Sequence, residues 1–212
     1  MKNILCYGDS NTWGYSPLSK LRYDEKTRWT GVLQKVLGEE FRVIEEGLNG
    51  RTTVHNETDR PFRSGVTFLP VVLESHSPLD LIIIMLGTND LKTKYNSTAF
   101  EISQNIKTLC EVAIKCDYNE NAQILLVSPT HITETNNIED NDFLGAIEKS
   151  HSLTSYYKKI ADDLNLYFYD ATKSIQTSSL DGVHWTVKQH RRIGLDLAKT
   201  VQKIFTTNSN KA

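Results

Sequence analysis

Five short apolar runs, at 3–7, 41–45, 81–86, 123–127 and 166–169, alternate along the chain with segments of helical periodicity, and this alternation constrains the fold more than any other feature. A short run without polar alternation reads as a strand covered on both faces, as in a parallel sheet. Between the first two runs Trp29, Val32, Leu33, Val36 and Leu37 recur at helical spacing, with Gly38 placed to cap the end. A second stripe carries Ile102, Ile106, Leu109, Ala113 and Cys116, and a third carries Leu153, Tyr156, Ile160 and Leu164. Thr186 and Gln189 form a capping-box pattern that opens a last helix through Ile193, Leu197, Val201 and Ile204. Such alternation implies right-handed crossovers, so the expected fold is α/β, a three-layer α/β/α domain on a five-stranded parallel sheet; for the strand order, which alternation leaves open, 2-1-3-4-5 is the expectation. Residues 1–205 read as one domain and 206–212 as a polar tail. Loops 14–26 and 51–63 are longer than connection requires, a common mark of function.

Charge excludes several partner classes. The chain has 212 residues, and its 24 Lys and Arg against 26 Asp and Glu are scattered, which leaves no basic stripe for nucleic acid or an acidic membrane. The expected partner is a neutral small molecule. Residues 1–6 are too short an apolar run for a signal peptide, and the longest apolar stretch, 79–86, is broken by Asp80 and cannot span a bilayer. A cytoplasmic protein is expected. Cys6, Cys110 and Cys116 lack CxxC spacing, and His55, His76, His131, His151 and His190 lack HxxxH spacing. Neither a disulfide framework nor a metal site is signalled, and no cofactor is expected.

In a sheet of this kind ligands bind beyond the carboxyl ends of the strands. Strand one is followed by Gly8-Asp9-Ser10-Asn11, strand two by Glu46-Gly47-Leu48-Asn49-Gly50, and strand three by Gly87-Thr88-Asn89-Asp90; Asp181-Gly182-Val183-His184 precedes the last helix. Acyl transfer needs a nucleophile, a base oriented by a third group, and donors for the oxyanion. Ser10 suits the nucleophile, His184 the base and Asp181 the orienting acid. The N–H groups of Ser10 and Gly50 and the Asn89 carboxamide suit the oxyanion donors. Each motif alone is ordinary turn chemistry. Four compatible sets at four strand ends make the joint reading the stronger one.

The same four segments resemble the blocks of the SGNH (GDSL-type) hydrolases, named for serine, glycine, asparagine and histidine, which fall here on Ser10, Gly50, Asn89 and His184. The likeness extends to Arg28-Trp29-Thr30-Gly31-Val32-Leu33, Val43-Ile44-Glu45-Glu46-Gly47-Leu48 and Arg51-Thr52-Thr53, which are similar to the arylesterase/perhydrolase branch. The resemblance implies a flavodoxin-like SGNH-hydrolase fold, the triad Ser10–Asp181–His184 and an oxyanion hole of Ser10, Gly50 and Asn89. It also implies a homo-oligomer with a confined apolar acyl site that hydrolyses short esters and passes acyl groups to alcohols or peroxide. The chain departs from the branch at Asn11, which replaces an apolar residue, at Gly50, which replaces alanine, and at 130–134, which replaces a proline-rich stretch.

Trp13 is expected as a wall of the acyl pocket, with Tyr15 nearby, and contact with a second subunit is the alternative for such an aromatic. His131 and Ile132, after strand four, are further substrate-binding candidates. Asp9 and Asp90 read as structural hydrogen-bond acceptors. Asp170 also follows a strand, but the short spacing to His184 and the family pattern favour Asp181. The expected activity is that of a serine esterase on acetyl or aryl esters. A carbohydrate or glycerolipid deacetylase of the same mechanism is the alternative. A flavin- or nucleotide-binding module is the non-enzymatic one, disfavoured because neither GxGxxG nor a P-loop follows a strand.

Overall fold

The computed structural model describes residues 1–134 and 141–209. Strands β1 (Lys2–Gly8), β2 (Phe41–Gly47), β3 (Leu81–Met85), β4 (Gln123–Ser128) and β5 (Tyr167–Asp170) form one parallel sheet, ordered β2-β1-β3-β4-β5. The three-layer α/β architecture and the strand order are those read from the sequence. Strand periodicity sends Ile4, Cys6, Leu81, Ile83, Leu125 and Val127 to one face and Leu5, Tyr7, Ile82, Ile84, Ile124 and Leu126 to the other. Both faces are therefore apolar and both need cover, which is why the central strands read as unbroken runs.

Helices α2 (Trp29–Leu37) and α6 (Val187–Ser209) cover the first face, where Trp29, Leu33 and Leu37 share a core with Ile193, Leu197, Val201 and Ile204. Helices α3 (Gly65–Ser75), α4 (Ala99–Ile114) and α5 (Ala146–Asp163) cover the second. The short α1 (Ser10–Trp13) follows β1 directly. Gly8 stands level with Gly47 of β2 and Met85 of β3, so three loops leave the sheet at one edge.

Several elements differ from expectation. Helix α3 has no counterpart among the expected helices: Pro70 lies inside it and masks the helical pattern, although Leu69 and Leu73 place a buried i, i+4 pair on the sheet. In α5 the buried aromatic is Tyr157, which donates to the Leu86 carbonyl at 2.9 Å, whereas Tyr156 is half-buried and packs edge-on against Phe100. Cys116 lies beyond the end of α4, packed against the same core. At the start of α6 the Gln189 side chain accepts the Thr186 N–H at 3.1 Å, as the capping pattern anticipated. That helix runs to Ser209, so 206–209 of the expected tail are helical, and 210–212 lie outside the described residues. Among the described residues, no helix is long and apolar enough to cross a membrane.

Candidate active site

Ser10 is the first residue of α1, and Asp9 fixes the turn into it: its carboxylate accepts the Asn11 N–H at 2.9 Å, and its carbonyl accepts those of Thr12 and Trp13. Asp9 is 2% exposed. Burial pushes its carboxyl up to about 6, against the opposing pull of the Asn11 N–H, the His184 charge and the Thr88 hydroxyl. The Asn11 N–H and the Thr88 hydroxyl make it a structural acceptor that ties the turn to the loop after β3, as expected.

Between β5 and α6 the chain closes a small loop. The Ser178 N–H donates to the His184 carbonyl and the Gly182 N–H to the Ser178 carbonyl, each at 2.8 Å. Gly182 turns with φ +70, and a Cβ there would sit 2.1 Å from the Thr133 carbonyl oxygen, so only glycine fits. Asp181 Oδ1 accepts the N–H groups of Val183 at 3.0 Å and His184 at 2.9 Å, which leaves Oδ2 2.7 Å from His184 Nδ1. The other ring nitrogen, Nε2, lies 2.9 Å from Ser10 Oγ. Burial by itself would raise the Asp181 carboxyl, but the hydrogen bonds and charge of His184 and the Val183 N–H outweigh it and hold the group below the usual range. Asp170 is engaged elsewhere: it accepts the N–H of Thr172 at 3.0 Å and its hydroxyl at 2.6 Å.

The opposite wall carries the donors. Asn89 Nδ2 donates to the Arg51 carbonyl at 3.0 Å, which orients the carboxamide and leaves its second N–H for the cleft. The backbone N–H groups of Ser10 and Gly50 have no protein acceptor among the described residues. Ser10, Gly50, Asn89 and His184 line one cleft of about 200 Å³. Two buried groups brace this wall. Arg51 lies 4.1 Å over the Tyr7 ring and donates to the carbonyls of Gly8, at 2.9 Å, and Glu46. Asp90 accepts the Thr53 N–H at 3.0 Å and its hydroxyl, and burial pushes the Asp90 carboxyl up to about 6. Among the described residues, no group of three or more His, Cys, Asp or Glu gathers to hold a metal ion. Hydroxyl, imidazole, carboxylate and converging N–H donors are the parts acyl transfer uses.

A family model of GDSL-like lipases and acylhydrolases matches residues 6–192. The chain belongs to that family. Solved structures agree. Est24, described as a carbohydrate acetylesterase from Sinorhizobium meliloti, superposes with TM-score 0.93 at 35% identity, covering 96% of this chain and all of its own. The native aryl esterase of M. smegmatis gives TM-score 0.91 at 36% identity, over 96% of this chain and 99% of its own. A carbohydrate acetylesterase family member from Sinorhizobium meliloti gives 0.92 at 40% identity, over 96% and 98%. No curated protein matches the chain. As a GDSL-like acylhydrolase it is a carboxylic ester hydrolase.

In this GDSL-like acylhydrolase the expected substrate contacts are placed elsewhere. Trp13 does not line the cleft; the Arg22 guanidinium covers its ring at 5.1 Å. Gly14, at φ +90, reverses the chain after α1, and Tyr15 takes the position instead, its ring centroid 4.3 Å from that of His184. Ile132 is apolar and goes inward, 3% exposed in the core, with its N–H on Ser150 Oγ at 3.0 Å. His131 stacks on His151 at 4.0 Å and lines a separate cleft with Lys158 and Asp170. The Ser10–His184 cleft is also not the apolar site that the resemblance implies: Asn49, Arg60, Lys92 and Asp142 line it together with Tyr15, Phe143 and Val183.

Proposed function

We propose that this acylhydrolase cleaves short-chain carboxylic esters through an acyl-enzyme on Ser10. The observation that carries the reading is the continuous hydrogen-bonded line from Ser10 Oγ to His184 Nε2, 2.9 Å, and from His184 Nδ1 to Asp181 Oδ2, 2.7 Å. Ser10 Oγ attacks the ester carbonyl carbon while His184 takes its proton, and Asp181 orients the imidazole and stabilises its cation. The tetrahedral oxyanion is received by the N–H groups of Ser10 and Gly50 and the Asn89 carboxamide. Collapse expels the alcohol, which takes the proton from His184. Water, deprotonated by the same imidazole, then attacks the acyl-enzyme and releases the acid and Ser10. An alcohol or peroxide in the place of that water turns hydrolysis into acyl transfer. No step calls on a metal or an organic cofactor.

Replacing Ser10 by alanine is expected to lower turnover of an aryl acetate by about ten-thousandfold or more, since a triad without its nucleophile retains only oxyanion binding. Equal rates for the two proteins would remove Ser10 from the mechanism. A carbohydrate deacetylase is the second reading, favoured by the polar side chains of the cleft and by the two Sinorhizobium meliloti neighbours. Comparing kcat/KM on acetylated sugars and simple aryl acetates separates the two. Assembly into a homo-oligomer belongs to the same proposal.

A further inference from the structure

Of the charged side chains along the cleft, Arg60 has no partner: among the described residues it makes neither a hydrogen bond nor an ion pair, although it lines the same cleft as Ser10 and His184. It does not simply extend into solvent. Its Nη1 lies 2.8 Å from the point a Cβ on Gly50 would occupy, so the guanidinium rests against the oxyanion glycine, and the bare backbone there makes that approach possible.

Among the described residues, the acids near the cleft are held by other groups or lie outside its lining. Asp142 faces Lys92 at 3.4 Å, and Glu57 takes Lys94 at 2.8 Å and the Tyr95 hydroxyl. Asp59, next in the chain, is exposed and lies outside the cleft lining. Asp181 is held by His184, and Asp90 is buried on Thr53. Two further guanidiniums near this wall make no direct ion pair among the described residues, although Glu46 and Asp9 lie near Arg51 and Glu57 near Arg63. Arg63 donates Nη1 to the Pro61 carbonyl at 2.9 Å, and its buried Nε is unpaired. Arg51 is spent on the carbonyls of Gly8 and Glu46. Among the described residues, the Gly50 side of the cleft therefore holds one guanidinium, that of Arg60, free to receive a ligand.

We propose that the natural ester carries a carboxylate, on its acyl or its alcohol part, that binds the Arg60 guanidinium at the Gly50 wall of the cleft. The inference rests on the ester-hydrolase reading above and narrows its substrate class. A planar guanidinium with parallel N–H donors fits a carboxylate in two-point fashion, and one free cation balances a single negative charge. Because Arg60 is exposed, its preference for charge is modest and sensitive to salt.

The experiment uses two matched ester pairs with the intact chain. Para-acetoxybenzoate against para-acetoxybenzamide places the charge on the departing alcohol, and para-nitrophenyl hemisuccinate against its methyl ester places it on the acyl group. In at least one pair the ratio of kcat/KM, charged over uncharged, is expected to favour the charged member in the wild type and to fall as salt is added. In Arg60→Gln that ratio falls by roughly threefold to tenfold, and in Arg60→Glu it falls further. Ratios unchanged in Arg60→Gln for both pairs overturn the proposal. Should the variants fail to fold, the wild type decides: ratios that do not fall with salt overturn it equally. Turnover of uncharged esters that depends on Ser10 but shows no charge preference defeats this inference alone. Absence of Ser10-dependent turnover on every ester defeats the hydrolase reading beneath it.

Discussion

At the level of single residues, Asn89 carries one of the proposed oxyanion donors. One amide hydrogen is spent on the Arg51 carbonyl at 3.0 Å, which favours the orientation that leaves the other for the cleft. Replacing Asn89 by alanine is expected to lower kcat by roughly a hundredfold to a thousandfold with a smaller effect on KM, as loss of one preorganised donor does; an unchanged kcat removes Asn89 from the oxyanion hole. Ser10, Gly50, Asn89 and the Asp181–His184 pair were legible in the sequence because each follows a strand or precedes a helix at one sheet edge. Tyr15 and Trp13 were not separable, since the choice between them depends on the left-handed turn at Gly14. His131 and Ile132 were misplaced for a related reason: after β4 the apolar side chain turns into the core and its neighbour turns outward, away from the triad. The free guanidinium of Arg60 was invisible, because unpaired charge is a property of three-dimensional neighbours.

At the level of elements, His190 joins α6 to α2. Its Nδ1 accepts the Trp29 N–H at 3.3 Å, the ring is fully buried, and Nε2 has no hydrogen-bond partner among the described residues. Burial, with the charges of His184 and Arg28 adding to it, pushes the imidazole down to about 3. A depressed folded pKa means that the unfolded chain binds the extra proton first. The His190 contribution to stability is therefore present above about 6.5 and is lost as pH falls toward about 3. Asp9 and Asp90, both raised to about 6, act in the opposite sense: their contribution is present below about 4 and lost as pH rises through about 6. In His190→Gln, urea unfolding across this range is expected to lose up to one proton from the pH slope, about 1.4 kcal/mol per pH unit. The variant then declines less steeply on acidification. An identical slope in both proteins would show that His190 does not titrate between the two states. Among the elements themselves, the strands and helices α2, α4, α5 and α6 were readable from periodicity. Helix α3 was hidden by Pro70, whose ring interrupts the usual helical pattern while Leu69 and Leu73 still bury themselves.

At the scale of the whole molecule, the sheet brings residues more than 170 positions apart in sequence to one edge, as the Ser10–His184 contact shows. The alternation of strands and helices was enough to anticipate that edge and its parallel sheet, whereas the strand order, which alternation does not fix, matches the order expected. What the sequence could not supply is the outer surface, where Leu18, Leu21, Phe62 and Val71 stand 64–79% exposed. The proposed homo-oligomer would bury such side chains against further copies of the chain. Light scattering on the eluting protein is expected to give a whole-number multiple, above one, of the 24.1 kDa chain mass. A particle of 24.1 kDa at all concentrations would show that the chain works as a monomer. The central claim, that catalysis passes through a covalent bond to Ser10, is tested most directly by mass spectrometry of the protein after treatment with an organophosphonate ester. The expected result is one adduct per chain, mapped to Ser10, absent from Ser10→Ala and much slower to form in His184→Ala, with ester hydrolysis lost in step with labelling. Ester hydrolysis that survives full occupation of Ser10, or equal labelling of Ser10→Ala, would contradict it.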